Sequence, residues 1–373
     1  MRILVDYRSA LRARTGVGEY IHQLVREYAA AHDDEVALFT SSWKDRPPAN
    51  LAAELRAGIV DCRVPVAVLN YLWHRMEWPP IEALAGPVDV VHAAHPLLIP
   101  ARRAAQVVTI HDLFFLEQPE RVRGEIRRDY PELAPAHARR ADAIITSSLR
   151  TQRLIVERLG ISGDRVYCCP PGAPAWRSLG RAPNVPAGGY ALFLGTLEPR
   201  KNVGVVLDAF ARLAEAARAP KLVIAGGVTP DADEWLARIS RPPLAGVVDY
   251  VGYVAEERRE SLFAGARMLL LPSLDEGFGM TALEAMSAGV PVLASTRGSL
   301  PEVIGDAGLL IPPDDAAAWA SMVARLAGDD ALAGALASAG LERAKSFTWA
   351  RTAACVRRAY RDAVRRRQSR ASR

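Results

Sequence analysis

The chain has 373 residues, of which 50% are apolar and 24% are charged, a composition typical of a globular protein. This length is more than a single core of average size needs, so we expect two domains. A net charge of only +5 argues against a nucleic-acid-binding surface, and no apolar run reaches the ~20 residues that a membrane-spanning helix requires.

The start of the chain, its cysteines and its basic end bear on the compartment. A charged residue and a short apolar run open the chain instead of a secretory signal, so we expect a cytoplasmic protein. The four cysteines (Cys62, Cys168, Cys169 and Cys355) show no C-x-x-C spacing, which predicts reduced, partly buried thiols and neither a metal site nor a disulfide framework. The arginines crowding residues 357–373 predict a solvated helix end. Peripheral contact of this basic patch with anionic lipid at the inner face of a membrane stays open as the alternative.

Short apolar runs alternate with amphipathic stretches along the whole chain, a pattern typical of parallel β-α-β units. In the first half, residues 20–31 have helical spacing. Six apolar runs there predict strands, at residues 3–5, 36–40, 88–92, 107–110, 143–146 and 166–169. Proline and glycine then interrupt both kinds of element at residues 170–174 and 181–189, which predicts a linker.

A second series of strands follows this linker. Its six apolar runs lie at residues 190–194, 222–225, 247–251, 268–271, 290–294 and 308–311. We predict an α/β fold of two doubly wound, Rossmann-like domains, residues 1–180 and 186–349, with a last helix at about 350–373 that can pack back on the first. Open parallel sheets bind ligands outside the carboxyl ends of their strands, so we expect the site in an intervening cleft where two such edges meet.

The string Glu276-Gly-Phe-Gly-Met-Thr-Ala-Leu-Glu284 follows one of these buried strands. Its glycines let the backbone approach a ligand, and a helix starts directly after them. The amides at that start form an anion site suited to a diphosphate; they belong to Phe278, Gly279, Met280 and Thr281. Glu284, one turn further, is placed for ribose hydroxyls, and Glu276 for hydroxyls of a sugar. Two carboxylates around an anion site predict a nucleotide sugar, the alternative being a helix-capping acid and a solvated glutamate.

The segment Gly195-Thr-Leu-Glu-Pro-Arg200-Lys201-Asn202 lies where the first strand of the second domain ends. Lys201 precedes a helix that Asn202 is predicted to cap. Two adjacent cations, Arg200 and Lys201, can neutralise the charge that grows on a departing diphosphate. Simple solvation of both side chains is the alternative.

Two short motifs of the first domain also follow strands. Thr15-Gly16-Val17-Gly18 is either a plain turn or a close backbone approach to a ligand, and it lacks the full G-x-G-x-x-G and the acidic residue of a dinucleotide site. His111-Asp112 directly follows the run 107–110. A lone histidine is often structural, but at the carboxyl end of a strand it favours function. His92 and His95 are weaker candidates, and Ser147-Ser148 is explained equally well as a helix cap.

With Ala285-Met-Ser-Ala-Gly289 added, the string from Glu276 to Glu284 resembles the E-x7-E motif of family 4 retaining glycosyltransferases. The chain resembles this family over nearly its whole length, and is most similar to bacterial mannosyl-, rhamnosyl- and glucosyltransferases that build surface polysaccharides. The resemblance implies the GT-B fold, two Rossmann-like domains with a cleft between them.

The resemblance also implies roles for single residues. Lys201 and an arginine of its loop hold the donor phosphates; the family arginine commonly stands where this chain has Thr196, so Arg200 transfers less directly than Lys201. The loop glycines Gly16, Gly18 and Gly195 approach the donor. Gly252 and Tyr253 cover the nucleotide base through backbone groups. His111 contacts the transferred sugar, with Asp112 as its support or as an acceptor contact.

The family implies retention at the anomeric carbon, and we expect a front-face displacement in which the leaving diphosphate helps to deprotonate the acceptor. The donor expected first is GDP-mannose and second a UDP-hexose such as UDP-glucose; the acceptor is a glycan or a lipid-linked intermediate. No cofactor or metal is expected, and Asp231-Ala-Asp233 is interpreted as solvated. A sugar-nucleotide 2-epimerase, a dinucleotide-dependent oxidoreductase and a non-catalytic sugar-binding protein are the rival interpretations.

Overall fold

The protein is described by a computed structural model, which covers residues 1–11, 14, 16–122, 124–174 and 188–371. The chain forms two compact units, Met1–Gly172 with Thr348–Arg373, and Ala173–Phe347. The first domain was predicted to extend to residue 180. In the structure, the first segment of this unit ends at Gly172, and a second segment from Thr348 to the C-terminal helix also belongs to it. Residues 181–187 of the predicted linker and the predicted Thr15 lie outside the described residues.

The first unit contains a seven-stranded, all-parallel sheet with the order β3-β2-β1-β4-β5-β6-β7. The strands are β1 Arg2–Asp6, β2 Glu35–Thr40, β3 Gly58–Asp61, β4 Val90–Ala93, β5 Ala105–Thr109, β6 Ala143–Thr146 and β7 Val166–Cys168. The helices of this part are α1 Val17–Ala31, α2 Leu51–Leu55, α3 Val66–Tyr71, α4 Glu82–Ala85, α5 Phe114–Glu117, α6 Gly124–Arg140 and α7 Leu149–Leu159.

The central strand β1 shows why the sequence forms this layer arrangement. Its apolar run is buried on both faces, as expected of a parallel strand between helices. Alternate side chains of a strand point to opposite faces, so Ile3 and Val5 join one core with α1 while Leu4 joins the other with Trp73. The order reverses between β1 and β4, and ligands of doubly wound sheets bind at such a switch point.

The second unit repeats this plan with the order β10-β9-β8-β11-β12-β13, again all parallel. Its strands are β8 Tyr190–Leu194, β9 Leu222–Ala225, β10 Val248–Gly252, β11 Ala266–Leu271, β12 Val292–Ser295 and β13 Leu309–Ile311. Its helices are α8 Val203–Glu215, α9 Asp233–Ile239, α10 Glu256–Gly265, α11 Met280–Ser287, α12 Leu300–Ile304, α13 Ala316–Gly328 and α14 Asp330–Ala344. The switch point of this sheet lies between β8 and β11.

The last helix, α15 Trp349–Ala371, packs in the first unit. Its residues Ala353, Val356, Ala359 and Tyr360 are buried in the core that holds α1. Several of its arginines bind acidic partners: Arg357 binds Asp34, Arg366 binds Asp164, and Arg370 binds Asp142. The basic helix end therefore lies on the surface as predicted, and in addition some of its arginines form ion pairs with acidic residues of the first unit.

The predicted fold class is confirmed, since both units are doubly wound parallel sheets. Each of the twelve predicted apolar runs overlaps a strand, with bounds that differ by at most two residues where they differ at all. The strand that the sequence did not reveal is β3, an edge strand whose residues are only partly buried. Within the described residues, no helix combines the length and the apolar character that crossing a membrane would need.

Candidate active site

The carboxyl edge of the second sheet brings Lys201 and Glu276 together. Lys201 ends a 3-10 turn, Pro199–Lys201, that follows β8, and Glu276 lies in the loop that follows β11. The Lys201 Nζ atom lies 2.6 Å from Oε1 of Glu276, and the Ser273 hydroxyl donates to the same oxygen at 2.7 Å. The Arg200 guanidinium lies 3.9 Å from Glu276 Oε2 and hydrogen-bonds Glu198 at 3.1 Å. Two cations and two carboxylates thus lie at the switch point of this sheet.

The environment of Glu276 keeps its carboxylate ionised. Burial raises the pKa of Glu276, but the charges of Lys201 and Arg200 and the hydrogen bonds from Lys201 and Ser273 outweigh it, so the pKa is lowered. An ionised carboxylate only accepts hydrogen bonds. Glu276 is therefore suited to read hydroxyl groups and is unsuited to act as a general acid.

The loop that carries Glu276 is fixed through its backbone. The Ser299 hydroxyl donates to the carbonyls of Glu276 at 2.9 Å and Gly277 at 2.8 Å, and the Ser295 hydroxyl donates to the Ser273 carbonyl at 2.6 Å. Gly298 has a φ of +65°, and a Cβ there would lie 2.4 Å from the Glu276 amide nitrogen. The loop is thus held in place before any ligand arrives, as an electrostatic site requires.

The start of α11 is built as predicted from its glycines. Gly279 caps the helix with a φ of +99°, and a Cβ at this position would lie 2.7 Å from Leu300 Cδ2. The amides of the first turn have no acceptor within a helix, so those of Met280 and Thr281 are available to an anion. The side chain of Phe278 is buried and packs on Phe347 at 5.6 Å between ring centroids; what it can offer a ligand is its backbone.

Glu284 lies one turn into α11 and is buried. Its Oε2 atom lies 2.5 Å from Nη2 of Arg259, a residue of α10. Sequence reasoning missed this arginine because the contact joins two helices that are separate in the chain. Arg259 compensates the charge of a carboxylate that would otherwise be costly to bury, and it fixes the direction in which the carboxylate points.

We expect Glu284→Ala to weaken binding of the nucleotide donor by about 10- to 100-fold, the equivalent of losing one or two hydrogen bonds from ribose hydroxyls to a charged acceptor. Titration calorimetry with the free nucleoside diphosphate measures this without turnover. The exposed Glu342, paired with Lys345 on the surface, provides the matched variant Glu342→Ala, which should bind normally. Unchanged affinity in a folded Glu284→Ala protein would refute the ribose assignment.

Glycines line the ends of the three neighbouring strands β8, β9 and β10. Gly195 follows β8, and Gly252 ends β10 with a φ of +74°. Between them, the Gly226 amide donates to the Gly252 carbonyl at 2.8 Å, and a Cβ on Gly226 would lie 1.8 Å from the Gly195 carbonyl oxygen. Gly226 was not predicted, although the pair Gly226-Gly227 directly after a strand was a signal for it. Tyr253 follows with an exposed ring.

In the same unit, the side chain of Asn202 does not cap α8, contrary to prediction. Asn202 takes the N-cap position with a left-handed backbone, so its amide group points elsewhere and donates to the carbonyls of Pro272 and Pro313 at 3.1 and 2.7 Å. Asp231 and Asp233 lie at the start of α9, where Asp231 accepts a hydrogen bond from Thr229 at 3.3 Å.

In the first unit, Gly16 and Gly18 form the start of α1. Gly16 is the N-cap with a φ of +41°. A Cβ on Gly18 would lie 2.5 Å from the Ser9 carbonyl oxygen, so glycine allows the helix start to pack on the turn Arg8–Ala10 that follows β1. The predicted turn thus brings backbone close to backbone at the switch point of the first sheet.

His111 follows β5 at the same edge of this sheet. Its ring stands edge-on to Tyr20 at 5.4 Å, and its buried Nε2 atom has no hydrogen-bond partner within the described residues. Burial lowers the pKa of His111 to about 4 against the opposing effects of Asp112 and of a backbone hydrogen bond with Ala94. The ring is therefore neutral near pH 7. Asp112 accepts a hydrogen bond from the Phe114 amide at 3.1 Å.

A polar cluster lies at the same sheet edge, and apart from His95, a weaker candidate, its members were missed by sequence reasoning. The carboxylate of Asp6, at the end of β1, binds Arg8 Nε and Nη2 at 2.8 Å each and lies 3.4 Å from His95 Nε2. Arg8 also donates to Asn70 Oδ1 at 2.9 Å and stacks over Trp73. The signal was a charged residue ending the central buried strand. The cluster places a fixed guanidinium and imidazole at the switch point of the first sheet.

Two other histidine and serine candidates have structural partners. His92 is buried and hydrogen-bonds Thr109 and Tyr360, each at 2.7 Å, so it ties β4 to β5 and α15. Ser148 is the N-cap of α7 and accepts from the Thr151 amide at 3.1 Å. Capping, one of the two explanations for this serine, is therefore observed.

Two Rossmann-like units, the second of which places an E-x7-E helix start and two cations at its switch point, define a glycosyltransferase of the GT-B fold. A family model described as "Glycosyltransferase Family 4" matches residues 14–177, and one described as "Glycosyl transferases group 1" matches residues 188–329. The O-antigen chain mannosyltransferase B of Escherichia coli is 32% identical over 367 residues, covering 90% of this chain and 93% of that protein. The chain belongs to glycosyltransferase family 4, as its motifs indicated.

Solved structures agree on the fold. A sucrose-phosphate synthase from Thermosynechococcus elongatus superimposes with a TM-score of 0.75 at 22% identity, covering 96% of this chain and 98% of the other. The Anabaena protein HepE, in complex with UDP and glucose, superimposes with a TM-score of 0.67 at 18% identity, covering 93% and 95%. At these identities the likeness shows the shared GT-B fold.

Proposed function

We propose that this glycosyltransferase is a retaining hexosyltransferase that moves mannose from GDP-mannose to a glycan or lipid-linked acceptor in the synthesis of a bacterial surface polysaccharide. The observation that carries the proposal is the ion pair of Lys201 and Glu276 beside the first amides of α11. It combines a cation for a phosphate, a carboxylate for sugar hydroxyls and a helix start for a second phosphate. The similarity to an O-antigen mannosyltransferase along nearly the whole chain supports mannose as the sugar.

The leaving group is the part of the reaction that these residues stabilise. Breaking the bond between sugar and diphosphate places negative charge on the diphosphate. Lys201, Arg200 and the amides from Phe278 to Thr281 are fixed donors for that charge, and donors that need no rearrangement lower the barrier most. Because these cations neutralise the phosphates, we expect turnover without an added divalent metal.

The groups assigned to the sugar keep the same protonation state throughout the reaction. Glu276 accepts hydrogen bonds from sugar hydroxyls, and the neutral His111 ring offers its Nε2 atom to another hydroxyl. No carboxylate among these residues is assigned as a nucleophile. We therefore infer a front-face displacement in which a phosphate oxygen of the departing diphosphate accepts the proton of the acceptor hydroxyl as that hydroxyl attacks, with retention at the anomeric carbon. Asp112 supports His111 or contacts the acceptor.

Donor identity is tested by incubating the protein with a panel of nucleotide sugars and a membrane extract or oligosaccharide acceptor, and measuring the released nucleoside diphosphate. Release of GDP from GDP-mannose, dependent on the acceptor, is the expected result. Product analysis by NMR gives the anomeric configuration, and an inverted product would contradict the mechanism. Addition of a chelator is expected to leave the rate unchanged.

A UDP-hexose donor is the second candidate, favoured by the UDP and glucose bound to the HepE protein of the same fold. In the same panel it predicts release of UDP in place of GDP. Formation of an epimerised sugar from the donor without any acceptor would indicate a sugar-nucleotide 2-epimerase and overturn both proposals. Binding without any release of a nucleotide would indicate a non-catalytic protein.

A peripheral membrane contact remains part of the proposal for a lipid-linked acceptor. Among the α15 arginines, Arg358 and Arg361 are exposed, and they present positive charge on the surface of the first unit. Sedimentation with vesicles that contain anionic lipid, compared with neutral vesicles, tests the contact.

A further inference from the structure

Two cysteines that play no part in the donor site lie next to each other in the first unit. Cys169 directly follows β7, and Cys355 lies in α15, 186 positions further along the chain. Their sulfur atoms are 2.7 Å apart, with the Cys169 thiol donating to the Cys355 sulfur. Both are free thiols. The spacing rules of the sequence could not reveal this pair, because α15 reaches β7 only after the chain has formed the whole second unit.

The surroundings give the two sulfurs different reactivities. The hydrogen bond from Cys169 and the positive charge of Arg358, whose Nη2 lies 4.0 Å from the Cys355 sulfur, lower the pKa of Cys355 to about 7 against the effect of burial. Burial raises the pKa of Cys169, which is fully enclosed. Cys355 is only partly buried. One thiol is therefore an accessible, thiolate-forming nucleophile, and the other is a shielded partner in contact with it.

We propose that Cys169 and Cys355 form a peroxide-reactive dithiol, in which Cys355 is the sulfur that is oxidised first and Cys169 is the resolving sulfur. The Cys355 thiolate attacks one oxygen of a hydroperoxide; the O–O bond breaks, a sulfenic acid forms, and the other oxygen leaves as water or an alcohol after taking up a proton. The Cys169 sulfur then attacks the Cys355 sulfur, the S–O bond breaks, and the hydroxyl leaves as water with the thiol proton. The two sulfurs lose two electrons in total, and the peroxide gains them.

The disulfide would join β7 covalently to α15. In the reduced protein this junction is held by packing and by contacts such as the hydrogen bond from Thr352 Oγ1 to the Pro170 carbonyl. A cross-link across a long stretch of chain restricts the unfolded state strongly. Oxidation is therefore expected to raise the thermal midpoint of the first unit by at least about 5 °C.

The test uses the full-length protein treated with hydrogen peroxide in its folded state, followed by alkylation of remaining thiols, digestion and mass spectrometry without reductant. We expect a cross-linked peptide that joins Cys169 and Cys355, reversal by dithiothreitol, and the rise in thermal midpoint. The Cys168→Ser and Cys62→Ser variants should keep the cross-link. Cys355→Ser should lose it.

Three outcomes would overturn the proposal. In the first, Cys355 is oxidised to sulfinic acid without cross-linking. In the second, Cys355 stays unoxidised and is alkylated after peroxide treatment. In the third, Cys168 proves to be the partner in the fragment spectra and Cys168→Ser abolishes the cross-link. Because the wild-type protein itself is the main sample, the test does not depend on the folding of a variant at the buried Cys169.

Discussion

Replacing Lys201 by alanine is expected to lower kcat by about 10²- to 10³-fold, which corresponds to about 3–4 kcal/mol of lost stabilisation of the leaving diphosphate. Lys201 is the cation in direct contact with Glu276, at 2.6 Å, while Arg200 lies 3.9 Å from that carboxylate. Because the stabilisation is made chiefly when charge develops, kcat should fall more than donor affinity. Steady-state kinetics with the donor identified by the nucleotide panel measure both.

A purely structural role makes a different prediction. If Lys201 only neutralises the buried Glu276 carboxylate, then removing both charges should restore the thermal stability that removing one destroys, and Lys201→Met should cost no rate beyond that lost in Glu276→Gln. We expect instead that Lys201→Met combined with Glu276→Gln recovers thermal stability, because no unpaired charge remains in the loop, yet stays inactive. Lys201→Arg, which keeps the charge with a different shape, should retain part of the rate.

The double variant therefore separates the two roles. Because Glu276→Gln by itself removes the carboxylate assigned to the sugar, the rate of the double variant is compared with that of Glu276→Gln alone. A double variant that turns over as fast as Glu276→Gln would refute the leaving-group role of Lys201. The same conclusion would follow from a folded Lys201→Ala protein with normal kcat. Thermal midpoints of the wild type and of every variant show which losses of rate are accompanied by a loss of stability.

The strands of this protein could be predicted because a buried parallel strand is a continuous apolar run, and twelve such runs stand out from the sequence. The edge strand β3 could not, since Gly58–Asp61 pairs on one side with β2 and is partly exposed, so its composition is not that of a buried run. The C-terminal helix was also predicted. Its position was left open, because the acidic partners of Arg357, Arg366 and Arg370 lie 202 or more positions earlier in the chain.

In the candidate site, the functional residues could be predicted from the sequence, but the contacts between them could not. The residues at strand ends, such as Lys201, Glu276 and His111, could be identified because chemistry-bearing side chains follow apolar runs. The contacts between them could not: Lys201 and Glu276 are 75 positions apart and meet because β8 and β11 are neighbours. The pairing of Glu284 with Arg259, and that of Asp6 with Arg8 and His95, likewise depend on how the strands and helices are arranged. The helix-capping rule also failed at Asn202, because its left-handed backbone conformation points the side chain away from the start of α8.

The first unit is expected to lose stability on mild acidification while the second unit does not. All seven histidines of the chain lie in its first 137 residues. Burial lowers the pKa of five of them, to about 3 for His74 and His92 and to about 4 for His22, His111 and His137. In the unfolded chain the same groups have a pKa of about 6.5.

The sign follows from which state binds more protons. Below about pH 6.5 these histidines are protonated in the unfolded state, whereas in the folded state they are protonated only at about pH 3–4. The unfolded state therefore binds more protons in this window, and the free energy of unfolding falls as the pH is lowered through it. At about pH 5, His92 alone, which is fully buried between Thr109 and Tyr360, costs the folded state about 2 kcal/mol relative to neutral pH. The other four histidines act in the same direction.

Equilibrium urea unfolding at about pH 7.5 and about pH 5, with hydrogen-exchange pulse labelling read out on peptides of each unit, measures the effect. The midpoint of the first unit should fall by at least about 1 M urea, since a typical slope for unfolding is about 2 kcal/mol per molar urea. The second unit contains no histidine and is the control within the same molecule. A parallel fall of both midpoints would mean that the units unfold together or that carboxylates govern the acid response. An unchanged first unit would mean that these imidazoles are solvated and protonated in the folded state, and the neutral His111 assigned to the sugar would then be untenable as well.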